Sequence, residues 1–258
     1  MTTATDHYER LLAEHYTWML GGDIEAAAAA QAELLRAAGL PPGSPSGGDV
    51  AVDLGCGPGP QSLALVRLGY GPVVAVDTSE RLLGELAAHA EAAGVADAVR
   101  PVRGDMRDVL PGAVAPGSAA AVVCMGDTLP HLPAKADVPR LLADVAAALR
   151  PGGHFVATFR DLTREATGTD RFVAVRGTDD RLLTCFLDYV DDDTVQVHDL
   201  LHVRTPDGAW ELHAGSYPKL RFTADWLAGQ CRAAGLDVRG TQTGPRGLQV
   251  LHAARPGD

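Results

Sequence analysis

Basic residues are in short supply. The 258-residue chain carries 22 Lys and Arg against 33 Asp and Glu, a formal net charge of −11. Affinity for nucleic acid rests on clustered cations, so the sequence is read as one without a nucleic-acid partner. The four cysteines (Cys56, Cys124, Cys185, Cys231) show no C-x-x-C spacing, and neither a metal site nor a disulfide framework is expected. The N-terminus lacks a basic region followed by an apolar core, and no run approaches the length that spans a bilayer. A cytoplasmic protein with no membrane partner is the resulting expectation. Hydrophobic content of 46% is ordinary for a globular chain, and the length suffices for one large domain or a domain with an appendage.

Against that plain background one stretch stands out, Val52-Asp53-Leu54-Gly55-Cys56-Gly57-Pro58-Gly59. An apolar run leads into it and reads as a buried strand, and Gln61 to Leu68 after it read as a helix. A strand, a glycine turn and a helix N-terminus direct backbone N–H groups at a polar or anionic ligand. Glycines at 55, 57 and 59 let that backbone approach with no Cβ in the way. Position 60 is Pro, where the dinucleotide fingerprint needs its third glycine, so a dinucleotide reading is weakened.

Upstream, the spacing of Tyr8, Leu11, Leu12, His15, Tyr16 and Met19 predicts an amphipathic helix over 6–20, and Asp23 caps a second from Ile24 to about Gly39. Tyr8, Tyr16 and Trp18 either pack a core or line a helical lid over a site. Residues 40–48 are a Pro/Gly/Ser linker. Downstream, strands at 73–76, 99–102, 119–125 and 154–159 alternate with helices, one capped by Ser79 and one by Asp137. This pattern predicts a doubly wound, mostly parallel sheet. After Thr163 the style changes to strand-like runs joined by polar turns such as Pro206-Asp207-Gly208, an antiparallel insert after the fifth strand. A helix capped by Thr223 and two closing strands complete a seven-stranded α/β sheet. The expected organisation is a helical lid at 1–40, a binding core at 49–161, an insert at 162–222 and a return to the core at 223–258.

Asp77 ends the second strand, where a carboxylate can accept both hydroxyls of a ribose. Asp105, with Met106 beside it, ends the third and can accept an adenine amino group. Together with the glycines these make a nucleoside cradle, although an Asp at a strand end is also a common cap or turn former. His198 and His202 are four apart, but on a strand that spans about 13 Å, too far to share one ion.

The motifs at Asp53 to Gly59, Asp77, Gly104-Asp105-Met106 and Leu149 to Gly153 resemble, in order and spacing, those of class I S-adenosylmethionine-dependent methyltransferases, which have a Rossmann-like fold. The resemblance implies S-adenosylmethionine as cofactor. It implies a site built from Asp53, Gly55, Cys56, Gly57 and Gly59, with Asp77 and Thr78 at the ribose and Asp105, Met106, Cys124 and Met125 framing the rest. Cys124 to Leu132 is similar to a segment of glycine N-methyltransferase-like enzymes. That likeness implies substrate contacts from Tyr189 and Tyr217 in the insert and from Arg160 as a carboxylate-binding group. Tyr16 joins them as the lid's contribution.

Where the family has Asn this chain has Asp127, which cannot donate to a substrate carboxylate when ionised. Glycine is therefore a doubtful acceptor. Asp127 is read either as an acceptor or base for an amine or hydroxyl nucleophile, or as a turn cap. His131 is the other candidate base, or a hydrogen-bonding group for cofactor or backbone. The favoured expectation is methyl transfer to the nitrogen of a small-molecule acceptor. The alternatives are O-methylation, a nicotinamide-dependent oxidoreductase and a non-catalytic nucleoside-binding regulator. A homo-oligomer is left open.

Overall fold

The computed structural model describes residues 3–44, 47–244 and 247–257. Part of the linker at 40–48 falls on Pro45 and Ser46, which lie outside the described residues. Helix α1 (Ala4–His7) runs through a π turn (Tyr8–Leu12) and a 3-10 turn (Ala13–His15) into α2 (Tyr16–Met19), and α3 (Ile24–Ala37) follows. The core then alternates β1 (Ala51–Leu54), α4 (Pro60–Arg67), β2 (Val73–Asp77), α5 (Glu80–Ala92), β3 (Val99–Arg103), α6 (Met106–Ala113), β4 (Ala119–Cys124), α7 (Asp137–Ala148) and β5 (Leu149–Arg160). The insert comprises β6 (Phe172–Gly177), β7 (Arg181–Tyr189), β8 (Thr194–Arg204) and β9 (Trp210–Leu220). After it come α8 (Ala224–Ala233), β10 (Asp237–Thr243) and β11 (Leu248–Ala254).

Seven strands form one sheet in the order β10-β11-β5-β4-β1-β2-β3. The pairs among β1 to β5 are parallel, and β11 is antiparallel to both β5 and β10. Period-two alternation sends successive strand side chains to opposite faces. Val52, Leu54, Val74, Val76 and Val122 pack with Leu141, Leu142, Val145 and Leu227 of α7 and α8. Ala51, Val73, Ala121, Val123 and Val156 pack on the other face with Leu35 and Leu65 of α3 and α4. Both faces are covered, which is why these strands read as continuous apolar runs. The strand order reverses between β1 and β4, so the loops at their carboxyl ends part and leave a crevice.

Strands β6 to β9 form a separate antiparallel four-stranded sheet. Its inner face, including Leu183, Leu187, Val197 and Leu201, is buried, and the N-terminal segment packs on it through Tyr8, Leu11, Leu12 and Trp18. Among the described residues no helix is long and apolar enough to cross a membrane.

Four expectations need correction. The N-terminal stretch is helical but not one regular α-helix, because a π turn sits where Tyr8 faces inward. Helix α6 was not foreseen: Pro111 and Gly112 look like breakers, yet the Asp105 carboxylate caps the first turn by accepting from Arg107 N–H at 2.9 Å. Asp137 is the first residue of α7 rather than its cap, and its carboxylate accepts from the N–H of Ala134 upstream. Strand β5 begins at Leu149, with Pro151-Gly152-Gly153 absorbed as an irregularity in its pairing with β4.

Candidate active site

Gly55 and Cys56 both donate their N–H to the Val76 carbonyl, at 2.8 and 3.0 Å, so the turn after β1 folds over the end of β2. Gly59 caps α4 in the left-handed region (φ 98°) with Pro60 in the first turn, where its missing N–H costs nothing. A Cβ on Gly59 would lie 2.1 Å from Leu86 Cδ1, so this glycine serves the packing of α5 and not the approach of a ligand. Gly57 differs: a Cβ there meets only the Tyr16 ring, at 3.4 Å.

Above this turn lies a cavity of about 370 Å³, within the usual range for small-molecule sites. Of the residues expected to hold a cofactor, Gly55, Gly57, Asp77, Thr78, Asp105 and Met106 line it. Asp53, Cys56, Gly59, Cys124 and Met125 do not; they are buried beneath or beside the turn.

The carboxylates around the cavity differ in their free capacity. Asp77 accepts from Gly57 N–H at 2.8 Å and from Ser79 N–H at 2.9 Å, one donor per oxygen. An ionised carboxylate has about four acceptor positions, which leaves two for ribose hydroxyls. Burial raises the Asp77 pKa against these hydrogen bonds. Asp105 is more committed. Arg107 grips it through Nε at 3.0 Å and a terminal nitrogen at 2.6 Å, in addition to the capping bond, and holds its pKa down. One acceptor position on Oδ2 remains for an adenine amino group.

Asp53 is almost fully buried. Ser62 Oγ donates to its Oδ2 at 2.7 Å, but its Oδ1 has no partner, and burial pushes its pKa up to about 7. A bare carboxylate oxygen behind the glycine turn suits a ligand that brings positive charge or a donor to that turn.

The opposite wall is aromatic. Tyr8, Tyr16 and His131 line the cavity, with the Tyr8 ring centroid 5.7 Å from Tyr16 and 5.3 Å from His131. Tyr217 stands behind them, its ring 5.3 Å from His131 and 5.8 Å from Tyr8. Burial raises the pKa of both Tyr8 and Tyr217, so their phenols stay protonated. His131 is buried with Nε2 unpartnered, and its pKa falls well below the ordinary value through burial and the nearby Lys219 charge. Trp18 lies elsewhere, donating to Thr178 Oγ1 and stacked by Arg176 and Arg181.

Asp127 is the main departure from expectation. It does not line the cavity. Its Oδ2 pairs with the Lys219 ammonium, its Oδ1 accepts from Arg160 N–H at 2.8 Å, and Arg160 Nε lies 3.7 Å away. Asp127 sits at φ 71°, a conformation Asp tolerates better than most residues. With both oxygens engaged and the Lys219 ammonium buried against it, Asp127 ties the loop after β4 to β5 and β9. Arg160 is drawn into the same cluster and does not face the cavity. Tyr189 is also remote: its hydroxyl accepts from Ala166 N–H and its ring lies under Arg221.

Sequence reading missed Lys219 and Glu9. Lys219 follows Tyr217 by two residues in β9 and shares its inward face, and a lysine at an inward position signals a buried acid partner. Glu9 lines the cavity mouth beside Tyr8, and its charge is felt at Asp77. Among the described residues no cluster of three His, Cys, Asp or Glu is placed to hold a metal, and His198 and His202 lie on strand β8.

Residues 51–153 match the family model described as a methyltransferase domain. No curated protein matches the chain. Among solved structures, an S-adenosylmethionine-dependent methyltransferase from Clostridium acetobutylicum is 15% identical with TM-score 0.72, over 96% of this chain and 99% of that one. The amino pentose methyltransferase CalS10 from Micromonospora echinaspora, solved with its cofactor bound, is 20% identical with TM-score 0.69 over 94% and 95%. The sugar N-methyltransferase KedS8 from Streptoalloteichus is 21% identical with TM-score 0.64 over 92% and 89%. At these identities the likeness is one of fold.

Proposed function

We propose that the chain is a class I S-adenosylmethionine-dependent methyltransferase, a reading supported by the methyltransferase-domain match over residues 51–153, and that it methylates the nitrogen of a small amine, with an amino sugar as the leading class. The carrying observation is the make-up of the cavity: the carboxylates of Asp77 and Asp105 at the strand ends, and Tyr8, Tyr16 and His131 from the N-terminal segment and the loop after β4. Two neighbours of the same fold are an amino pentose methyltransferase and a sugar N-methyltransferase, which lends the acceptor class support. The similarity of Cys124 to Leu132 to the glycine N-methyltransferase-like segment points the same way.

When bound, S-adenosylmethionine supplies an electrophilic methyl group on a sulfonium. Asp77 would hold the ribose through its two free acceptor positions, Asp105 and Met106 would meet the adenine, and the turn at Gly55 and Gly57 would run along the amino-acid portion. The chain's own contribution at the other wall is to deliver a nucleophile with a free lone pair. An ammonium entering between Tyr8, Tyr16 and His131 loses hydration, which lowers its pKa and favours the neutral amine. His131 stays neutral at neutral pH. In the tautomer that leaves Nε2 bare, it accepts an N–H from that amine and aims its lone pair. Asp127 and Lys219 hold the His131 loop from behind, and Arg160 belongs to that scaffold.

Radiolabelled methyl transfer to a panel of amino sugars and simpler amines, with matched alcohols, tests the reading. Turnover on amines is expected. For His131→Ala a fall in kcat of at least about 100-fold is expected, with cofactor affinity within about threefold of the unaltered protein. Turnover on alcohols alone would replace the proposal by O-methylation. Saturable cofactor binding with no acceptor in the panel would favour a nucleoside-binding regulator.

A further inference from the structure

The inner face of the insert is apolar through Leu183, Leu187, Val195, Val197 and Leu201, yet Asp199 interrupts it in mid-strand. A carboxylate in that setting is destabilising unless it is paired. Its partner comes from the far end of the sequence. His7, the last residue of α1, donates from Nε2 to Asp199 Oδ2 at 2.7 Å, and each residue is 2% exposed. Three strands are shaped to receive it. Register sets Cys185, Asp199 and Gly215 side by side on β7, β8 and β9. Cys185 Sγ donates to Asp199 Oδ1 at 2.8 Å and holds the carboxylate from its other side. Gly215 leaves the space for the imidazole, since a Cβ there would lie 2.8 Å from both Nδ1 and Cε1 of the ring. Tyr217 closes the socket, its ring centroid 4.8 Å from that of His7.

The residue after His7 is Tyr8, which opens the π turn and accepts at its carbonyl from Ala13 N–H. Such turns recur at functional sites, where they re-aim a side chain. His7 enters the sheet while Tyr8 lines the cavity, against Tyr16 and His131. Helix α1 is only four residues long and has little hold of its own on its position.

We propose that His7 is a positioning residue for the aromatic wall of the cavity: the socket of Cys185, Asp199 and Gly215 fixes the N-terminal segment so that Tyr8 stands against His131, where the acceptor binds. The proposal rests on the acceptor reading above for its kinetic consequence only. Stability alone does not account for the pair, because apolar residues of similar volume are often as stable as a buried ionic pair. An apolar contact tolerates sliding, whereas this hydrogen bond fixes one position. A displacement of about 1 Å at a substrate-positioning group can lower turnover efficiency about 100-fold.

Hydrogen exchange on the full chain tests the fastening, and the acceptor KM tests its consequence. In His7→Ala the amides of residues 4–19 should exchange at least about 100-fold faster, while those of β1, β4 and β5 keep their rates. For an amine turned over in the panel above, KM should rise at least about tenfold, with affinity for S-adenosylmethionine within about threefold. His7→Gln, whose amide nitrogen stands in for Nε2, should restore most of both. Should His7→Ala fail to fold, Gly215→Ala keeps both partners and displaces the imidazole from the other side, with the same readouts expected. In His7→Ala/Gly215→Ala the second change should add little, because both empty one socket. Parental exchange over 4–19 in the folded variants would overturn the proposal, and so would faster exchange with an unchanged KM. Should no amine be turned over, the acceptor reading falls, and parental exchange over 4–19 still decides against the socket.

Discussion

Replacing Asp127 by Asn separates a structural from a chemical role for this residue. The Asp127 and Lys219 side chains are only 12% and 8% exposed, so the pair sits out of bulk water. Asn keeps the shape, tolerates the positive φ and can still accept from Arg160 N–H. It removes the countercharge and leaves the Lys219 ammonium buried. Breaking a buried pair at one partner costs about 3–5 kcal/mol. With an unfolding entropy of about 2.1 cal/mol/K per residue, a chain of 258 residues loses roughly 6–9 °C in Tm. Replacing the pair by neutral groups is far cheaper than breaking it, so Asp127→Asn/Lys219→Met should recover most of that loss. Differential scanning calorimetry on the four proteins of the cycle gives the coupling. Because Asp127 does not line the cavity, the affinity for S-adenosylmethionine should stay within about threefold in every variant. An Asp127→Asn protein that melts within about 1 °C of the parent yet loses turnover would refute this account and return Asp127 to the chemistry.

Two glycines of one turn should fail in different ways. Gly59→Ala drives a methyl into Leu86 and is expected to lower stability by about 3 kcal/mol or more, read as a fall in Tm. Gly57→Ala pays chiefly the backbone penalty at positive φ, about 1 kcal/mol, but narrows the cavity, so calorimetric titration with S-adenosylmethionine should show the larger change. Asp53 predicts an unusual pH dependence. Its carboxyl ionises near 3.8 when unfolded and near about 7 when folded, so its contribution to stability is complete below 3.8 and is lost as pH rises through 7. The slope is at most about 1.4 kcal/mol per pH unit, and denaturant melts of Asp53→Asn should lack it.

The parallel core is legible because its signals are local. Strand ends at Leu54, Asp77 and Arg103 follow from apolar runs and turn residues within a few positions, and the helix caps Asp23, Ser79 and Thr223 are each read from one side chain. The cavity's cofactor side inherits that legibility, since Gly57, Asp77 and Asp105 are placed by those strand ends. The other side is built from long-range meetings that no window contains. Lys219 neutralises Asp127 across 92 positions, and His7 reaches Asp199 across 192, at 2.7 Å.

Those meetings explain where the linear reading and the structure part. Asp127 and Arg160 look like chemistry in a linear reading because they are polar residues at strand ends, the same signal that serves Asp77. Their role is decided by whether a buried partner already saturates them. Asp77 meets only backbone donors and keeps acceptor capacity; Asp127 meets a lysine and keeps little. The tyrosines divide the same way. Tyr8 and Tyr16 are drawn over the cavity because the His7–Asp199 pair and the Leu12 contacts fix the N-terminal turns against the inner face of β7 and β8. Tyr189, on the same sheet, points to Ala166 and Arg221 and is spent there. The aromatic wall of the cavity thus depends on how the N-terminal segment is fastened to the insert, and that fastening is carried by residues outside the glycine turn and the strand-end carboxylates.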